Sequence, residues 1–246
     1  MSECHLSLPK DTIRKIMTPP TAIRSEVKLH IGEDQLRIYA SDNEAVTSVT
    51  VTLDYGGLLS IPNSEISTRT NAIAVLECLS AMKDCARKID VMVGGDMICL
   101  TSRDMRCKRF LEKKGNMNIL SEPDTESKAV FTFRPEQVLD VLMVANWIGH
   151  NVTVIASEGE DTFSLVAEGL KIEDNVLKRI EPDSFMKLPQ GTVRSTFNIA
   201  HFLEIIQVLP DEHTVRFSLR NDRPASLEYS FADGFGKSTF ILRTKM

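Results

Sequence analysis

The sequence predicts an α+β fold made by duplication, an antiparallel sheet-and-helix unit written twice with a polar connector between the copies. Three observations carry this. Most of the chain runs with period-two hydrophobicity, interrupted by two helical stripes in each half. The order of strands, helices and turns in residues 1–114 repeats in residues 130–246, so two similar domains are expected there. Between them, residues 115–129 are rich in Asn, Ser, Glu, Pro and Asp, which compete locally for backbone hydrogen bonds and favour turns. A length of 246 residues suits two domains of ordinary size.

In the first half, Leu6 and Leu8 alternate, and Pro9 and Asp11 then open a helix carrying Ile13, Arg14 and Lys15. Thr18-Pro-Pro is expected to stop or kink it, because each Pro lacks an amide and crowds the preceding turn. Val27, Leu29 and Ile31, the turn at Gly32, then Leu36, Ile38 and Ala40 form a hairpin, and Val46 to Leu53 continue the strand pattern. From Asn71 the period becomes helical through Ala72, Val75, Leu76, Leu79 and Met82. Ile89, Val91 and Val93 face Ile98 and Leu100 across Gly94-Gly-Asp, and a last strand runs from Met105 to Phe110. In the second half Phe131 and Phe133 stand for Leu6 and Leu8, and Arg134-Pro-Glu-Gln-Val opens a helix through Val138, Leu142 and Ala145. Val152 lies 125 residues after Val27, and Phe163 lies 127 after Leu36. Asn198 opens the second helix as Asn71 does, and Val215–Leu219, Ser226–Phe231 and Ser238–Leu242 read as closing strands.

Hydrophobic residues at 42 % and charged residues at 26 % mark a chain that folds around a core. A net charge of -5 excludes a surface coated in positive charge and leaves room for a local basic face. The five cysteines are odd in number and form no CxxC pair, so free thiols in a reducing compartment are expected, with neither disulfides nor zinc. Cys78 and Cys85 are expected in the core, Trp147 is expected to pack at its helix end, and His150 and His201 read as surface or capping residues. No charged leader precedes an apolar run, and no segment approaches the ~20 apolar residues of a membrane span. A soluble chain is expected, cytoplasmic and nucleoid-associated, or nuclear in a eukaryotic source. HExxH, P-loop, GxSxG and clustered Cys/His patterns are missing from the sequence, so no enzyme activity, cofactor or metal is expected.

Asn221-Asp-Arg-Pro-Ala-Ser-Leu-Glu-Tyr followed by Phe231-Ala-Asp-Gly-Phe-Gly-Lys-Ser-Thr-Phe-Ile-Leu, with Ala40-Ser-Asp-Asn-Glu-Ala-Val, resembles sliding clamps of the proliferating cell nuclear antigen family, archaeal type. The resemblance covers essentially the whole chain. It implies the DNA clamp fold: a ring of three chains, with helices lining a hole, that encircles duplex DNA and tethers DNA polymerase and other replication or repair proteins. By that resemblance the strand Asp104–Leu111 of one chain meets Asp174–Glu181 of the next, through Arg106, Lys108, Arg109, Phe110, Asp174, Val176, Lys178 and Ile180. The DNA-facing positions are Arg14, Lys15, Arg24, Lys83, Arg87, Lys88, His150 and His201, fewer in the second half than the family usually places. Clients carrying a short docking motif, and a clamp loader, are the implied partners, and no membrane is implied. The client positions are Ser41, Ala45, Val46, Ser48, Ile119, Leu120, Pro224, Leu242, Arg243, Thr244 and Lys245. Ser41, Ser48 and Arg243-Thr244 depart from the usual lining. An alternative implied by the sparse charge is a clamp-fold scaffold, or one subunit of a hetero-ring or checkpoint-type clamp, with weak DNA contact.

Overall fold

Alternation along each strand decides which side chains reach a core, and two cores result. The computed structural model describes residues 3–32, 34–42, 46–57, 65–83, 88–94, 97–111, 126–169, 175–211 and 213–245. They divide into two compact units, the first drawn from Met1–Asp42, Val49–Ile119 and Ser230–Ser238, the second from Asn43–Ser48, Leu120–Tyr229 and Thr239–Met246.

In the first unit, β1 (Glu3–Pro9) runs directly into α1 (Lys10–Thr21). There follow β2 (Glu26–Ile31), β3 (Gln35–Ser41), β4 (Thr47–Asp54) and β5 (Ile66–Asn71), then α2 (Ala72–Ala81), β6 (Lys88–Gly94), β7 (Met97–Thr101) and β8 (Arg106–Phe110). Strands β1, β6, β7 and β8 form an antiparallel sheet in that order, with Leu6 opposite Val91 and Val93 opposite Ile98. Strands β5, β2, β3 and β4 lie side by side, with Leu29 opposite Ile38. Helices α1 and α2 pack against each other. Leu6, Leu8, Ile13, Ile16, Leu29, Val91 and Leu100 fill the core, which is aliphatic.

The second unit contains β9 (Ala129–Phe133), α3 (Pro135–Ile148), β10 (Asn151–Ser157), β11 (Phe163–Glu168), β12 (Asn175–Ile180) and β13 (Ser184–Lys187). It continues with β14 (Thr192–Asn198), α4 (Ile199–Val208), β15 (Val215–Leu219) and most of β16 (Ala225–Phe231) and β17 (Gly236–Leu242). The order β14-β10-β11-β12 repeats β5-β2-β3-β4, and β9-β15-β16-β17 repeats β1-β6-β7-β8, with β13 added beside β9. Helix α3 packs on α4 as α1 packs on α2. The core chemistry differs: Phe131, Phe133, Phe163, Phe197, Phe202 and Phe217 are buried together, with Phe131 stacked on Phe163 at 4.4 Å between ring centroids.

Three expectations are corrected. Pro19 and Pro20 do not stop α1, which runs to Thr21; they occupy its last turn, where their carbonyls still accept hydrogen bonds from Ala22, Ile23 and Arg24. Cys78 and Cys107 are not free thiols but form a disulfide that ties α2 to β8, with Cα atoms 6.1 Å apart. An odd count conceals this pair: Cys4 and Cys99 are free and buried among the described residues, and Cys85, expected in the core, lies outside them. Trp147 does not pack: it is 89 % exposed on α3. Strands β5 and β14 went unread because Thr, Ser and Arg fill their outward positions and blur the alternation, and β13, four residues long, is too short to show one.

Candidate nucleic-acid interface and docking surfaces

Four helices carry the residues expected to face DNA, and both second helices begin on an asparagine. The Asn71 side chain accepts from the Ala74 amide at 3.0 Å, and the Asn198 side chain from the Ala200 amide at 2.9 Å. Each cap satisfies an amide that the first turn leaves without an intrahelical partner. Helix α3 starts differently: Pro135 occupies the first turn, and the Arg134 amide donates to Gln137 Oε1 at 2.6 Å.

On the first unit, Arg14 is exposed, whereas Lys15 is half-buried and held by Asp11 one turn back at 2.9 Å. Arg24 is paired with Glu26 at 3.0 Å, and its second nitrogen reaches the Ser41 carbonyl at 3.5 Å. Lys83 is exposed, Lys88 is exposed 3.9 Å from Asp90, and Arg87 lies outside the described residues. Lys10, which the sequence reading passed over, is buried and donates to the Met82 carbonyl at 2.8 Å, so it braces α1 against the end of α2. On the second unit His150 is exposed and its carbonyl accepts from the Ile199 amide, while half-buried His201 sits 3.8 Å from Glu204. The exposed side of α3 carries Glu136, Asp140, Met143, Val144 and Trp147, acidic and apolar with no lysine or arginine.

Two strands that end their sheets carry the expected subunit contacts. On β8, Arg106, Lys108 and Arg109 are exposed and Phe110 is 84 % exposed. Arg106 Nε donates to Cys99 Sγ at 3.1 Å, and Arg109 lies 3.5 Å from Glu77 of α2. On β12, Lys178 is exposed with its Nζ donating to the Gln137 carbonyl at 3.2 Å, Val176 is half-buried, and Ile180 is buried in its own unit. Asp174 lies outside the described residues. Leu177, 63 % exposed between Val176 and Lys178, was missed, because an apolar residue in a charged strand reads as inward-facing.

Of the expected client positions, Ala45, Ile119 and Leu120 lie outside the described residues. Ser41 is buried in the first unit. Within the second unit Ser48 and Leu242 are buried, the Pro224 carbonyl accepts from Arg220 at 3.1 Å, and the Arg243 amide donates to the Val46 carbonyl at 2.9 Å. The Lys245 amide donates to the Thr196 carbonyl at 2.9 Å, leaving the Arg243 and Lys245 side chains exposed and Thr244 half-buried. Glu126 pairs with Lys187 of β13, and the nearby ammonium holds its carboxyl below the usual range. Among the described residues no group of three or more His, Cys, Asp or Glu could hold a metal ion, and no helix is long and apolar enough to cross a membrane.

No protein-family model matches the chain. It is 22 % identical over 248 residues to a DNA polymerase sliding clamp of Halobacterium salinarum, covering 96 % of each. A DNA polymerase sliding clamp of Haloarcula marismortui is 22 % identical over 247 residues, again with 96 % of each covered. Among solved structures, a PCNA of A. fulgidus bound to the C-terminal region of FEN-1 superposes with a TM-score of 0.83 at 15 % identity, over 99 % of this chain and 98 % of that one. The PCNA of Thermococcus kodakaraensis gives the same TM-score, 0.83, at 15 % identity, over 98 % of this chain and 100 % of that one. Along nearly its full length the chain is thus similar in sequence to archaeal DNA polymerase sliding clamps, and it shares the fold of structures of the proliferating cell nuclear antigen.

Proposed function

We propose that the chain is a DNA polymerase sliding clamp, a non-enzymatic processivity factor that closes as a homotrimer around duplex DNA and tethers polymerase and repair proteins. The observation that carries the reading is similarity to archaeal sliding clamps along 96 % of the chain, joined to a duplicated strand order. The domains run over residues 1–114 and 130–246, with 115–129 connecting them. Strand β8 of one copy pairs with β12 of the next, which removes two edges whose unpaired amides and carbonyls would otherwise template aggregation. Arg106, Lys108, Arg109 and Phe110 meet Asp174, Val176, Lys178 and Ile180 there. Arg14, Lys15, Arg24, Lys83, Arg87 and Lys88, with His150 and His201, face the duplex and attract phosphates without reading bases. Clients dock by a short motif on Ser41, Ala45, Val46, Ser48, Ile119, Leu120, Pro224 and the tail Leu242–Lys245, and a clamp loader opens the ring. The chain works where the DNA is, in the cytoplasm on the nucleoid or in a nucleus.

Two measurements test this. Sedimentation is expected to give a particle of three 27.5 kDa chains; a monomer at micromolar concentration overturns the self-sufficient ring. Charge reversal at Arg14 and Lys15 is expected to shorten loader-dependent retention on circular DNA and to flatten its salt dependence, with folding intact. Unchanged retention favours the second reading, an interaction scaffold or hetero-ring subunit with weak DNA contact. The exposed side of α3 supports that second reading, because Glu136 and Asp140 repel phosphate where a DNA-facing helix needs cations.

A further inference from the structure

We infer that the cations gathered around the C-terminal tail form a docking surface for an acidic peptide segment, the stretch that flanks a client's docking motif; this rests on the client-docking reading above. The tail is rooted by Phe240 and Leu242, both fully buried. Beyond them, strand β14 collects two basic segments of the second unit. Its Thr196 carbonyl accepts from the Lys245 amide at 2.9 Å, and its Arg194 carbonyl accepts from the Asp222 amide at 3.0 Å. The Arg194 amide in turn donates to Asn221 Oδ1 at 2.9 Å. Thus the tail, bearing Arg243 and Lys245, and the turn bearing Arg223 are held to positions two residues apart on one strand that itself carries Arg194.

All four of these side chains are exposed, and none has an ion-pair partner among the described residues. Elsewhere Arg24, Arg69, Arg109 and Arg134 each have a carboxylate. The acidic residue of the turn, Asp222, leaves an excess of positive charge beside the tail.

The tail backbone decides what kind of polyanion fits. Arg243 and Lys245 spend their amides on Val46 and Thr196, but the amide and carbonyl of Thr244 between them have no partner among the described residues. An added peptide strand supplies both the acceptor and the donor that this residue lacks. A nucleic-acid phosphate supplies only acceptors, so it leaves the Thr244 carbonyl unmatched.

The test uses fluorescent peptides carrying a Gln, an aliphatic residue and paired aromatics, flanked by Asp/Glu, by neutral residues or by Lys, plus an Asp/Glu peptide with the motif scrambled. Polarisation is read with the full chain. The acidic flank is expected to tighten binding about tenfold over the neutral one at low salt, an advantage erased by raised salt. Arg194→Glu with Arg223→Glu, outside the residues assigned to the motif itself, is expected to abolish the advantage while sparing the neutral peptide. Equal binding of all flanks, or a preference for Lys, overturns the proposal. Displacement of the acidic peptide by a short DNA duplex at matching concentration also overturns it, in favour of nucleic acid. Binding of the scrambled acidic peptide without binding of the neutral motif peptide sinks the client reading and keeps the acidic surface; binding of none sinks both.

Discussion

Asn71 and Asn198 stand at the same point of two repeated units and perform the same task, closing the first turn of the helix that follows. The sequence exposed both, because an asparagine immediately before a change to helical period is a start signal that needs no tertiary information. Replacing Asn198 by Ala leaves the Ala200 and His201 amides uncapped and is expected to cost about 1 kcal/mol, read as a lower urea midpoint with unchanged slope. Other residues were illegible one at a time. Burial pushes the Cys4 thiol above its ordinary range and leaves it unpaired, while Cys78 finds a partner 29 residues away. Nothing in local spacing distinguishes the two, since pairing depends on which strand a helix lies against. Lys10 is the same kind of case: a lysine at a helix start reads as solvated until the Met82 carbonyl is seen above it.

At the scale of elements, periodicity carried most of the fold. The hairpins β2–β3 and β10–β11, read from alternation and a glycine or acidic turn, pair in register with Leu29 opposite Ile38 and Val154 opposite Leu165. Alternation failed where outward positions hold Thr, Ser and Arg, as in β5 and β14, because such strands differ little from polar loops in composition alone. Prolines misled in the opposite direction: a proline in a last turn gives up an amide bond but keeps an accepting carbonyl, so α1 reaches Thr21. The disulfide links α2 to a strand at the end of its sheet and limits how far β8 can move from the helix beneath it. Reduction is expected to lower stability by about 3 kcal/mol, with Cys78→Ser matching the reduced protein in urea unfolding. If the reduced and oxidised proteins unfold at the same denaturant concentration, the link contributes nothing.

For the whole molecule, duplication was the most legible property, because it repeats a signal that is weak in either half alone. The candidate site was less so. Its helix positions come from the repeat, but the balance of charge on them depends on which face each helix turns outward. On α3 that face unites Glu136 and Asp140 with Met143, Val144 and Trp147, residues scattered in sequence among the buried Val138, Val141, Leu142 and Ala145. The two cores also diverge in substance, aliphatic in one unit and built on six phenylalanines in the other, so the repeat preserves architecture without preserving packing. Trp147 is the single tryptophan of the chain and stands in water on that face. Its emission therefore starts at the long-wavelength limit in the native protein and has little further to shift when the chain unfolds. The same indole becomes an optical gauge of whatever approaches α3: a blue shift on adding protein, peptide or DNA reports cover on that helix, and an unmoved spectrum reports that the helix stays wet.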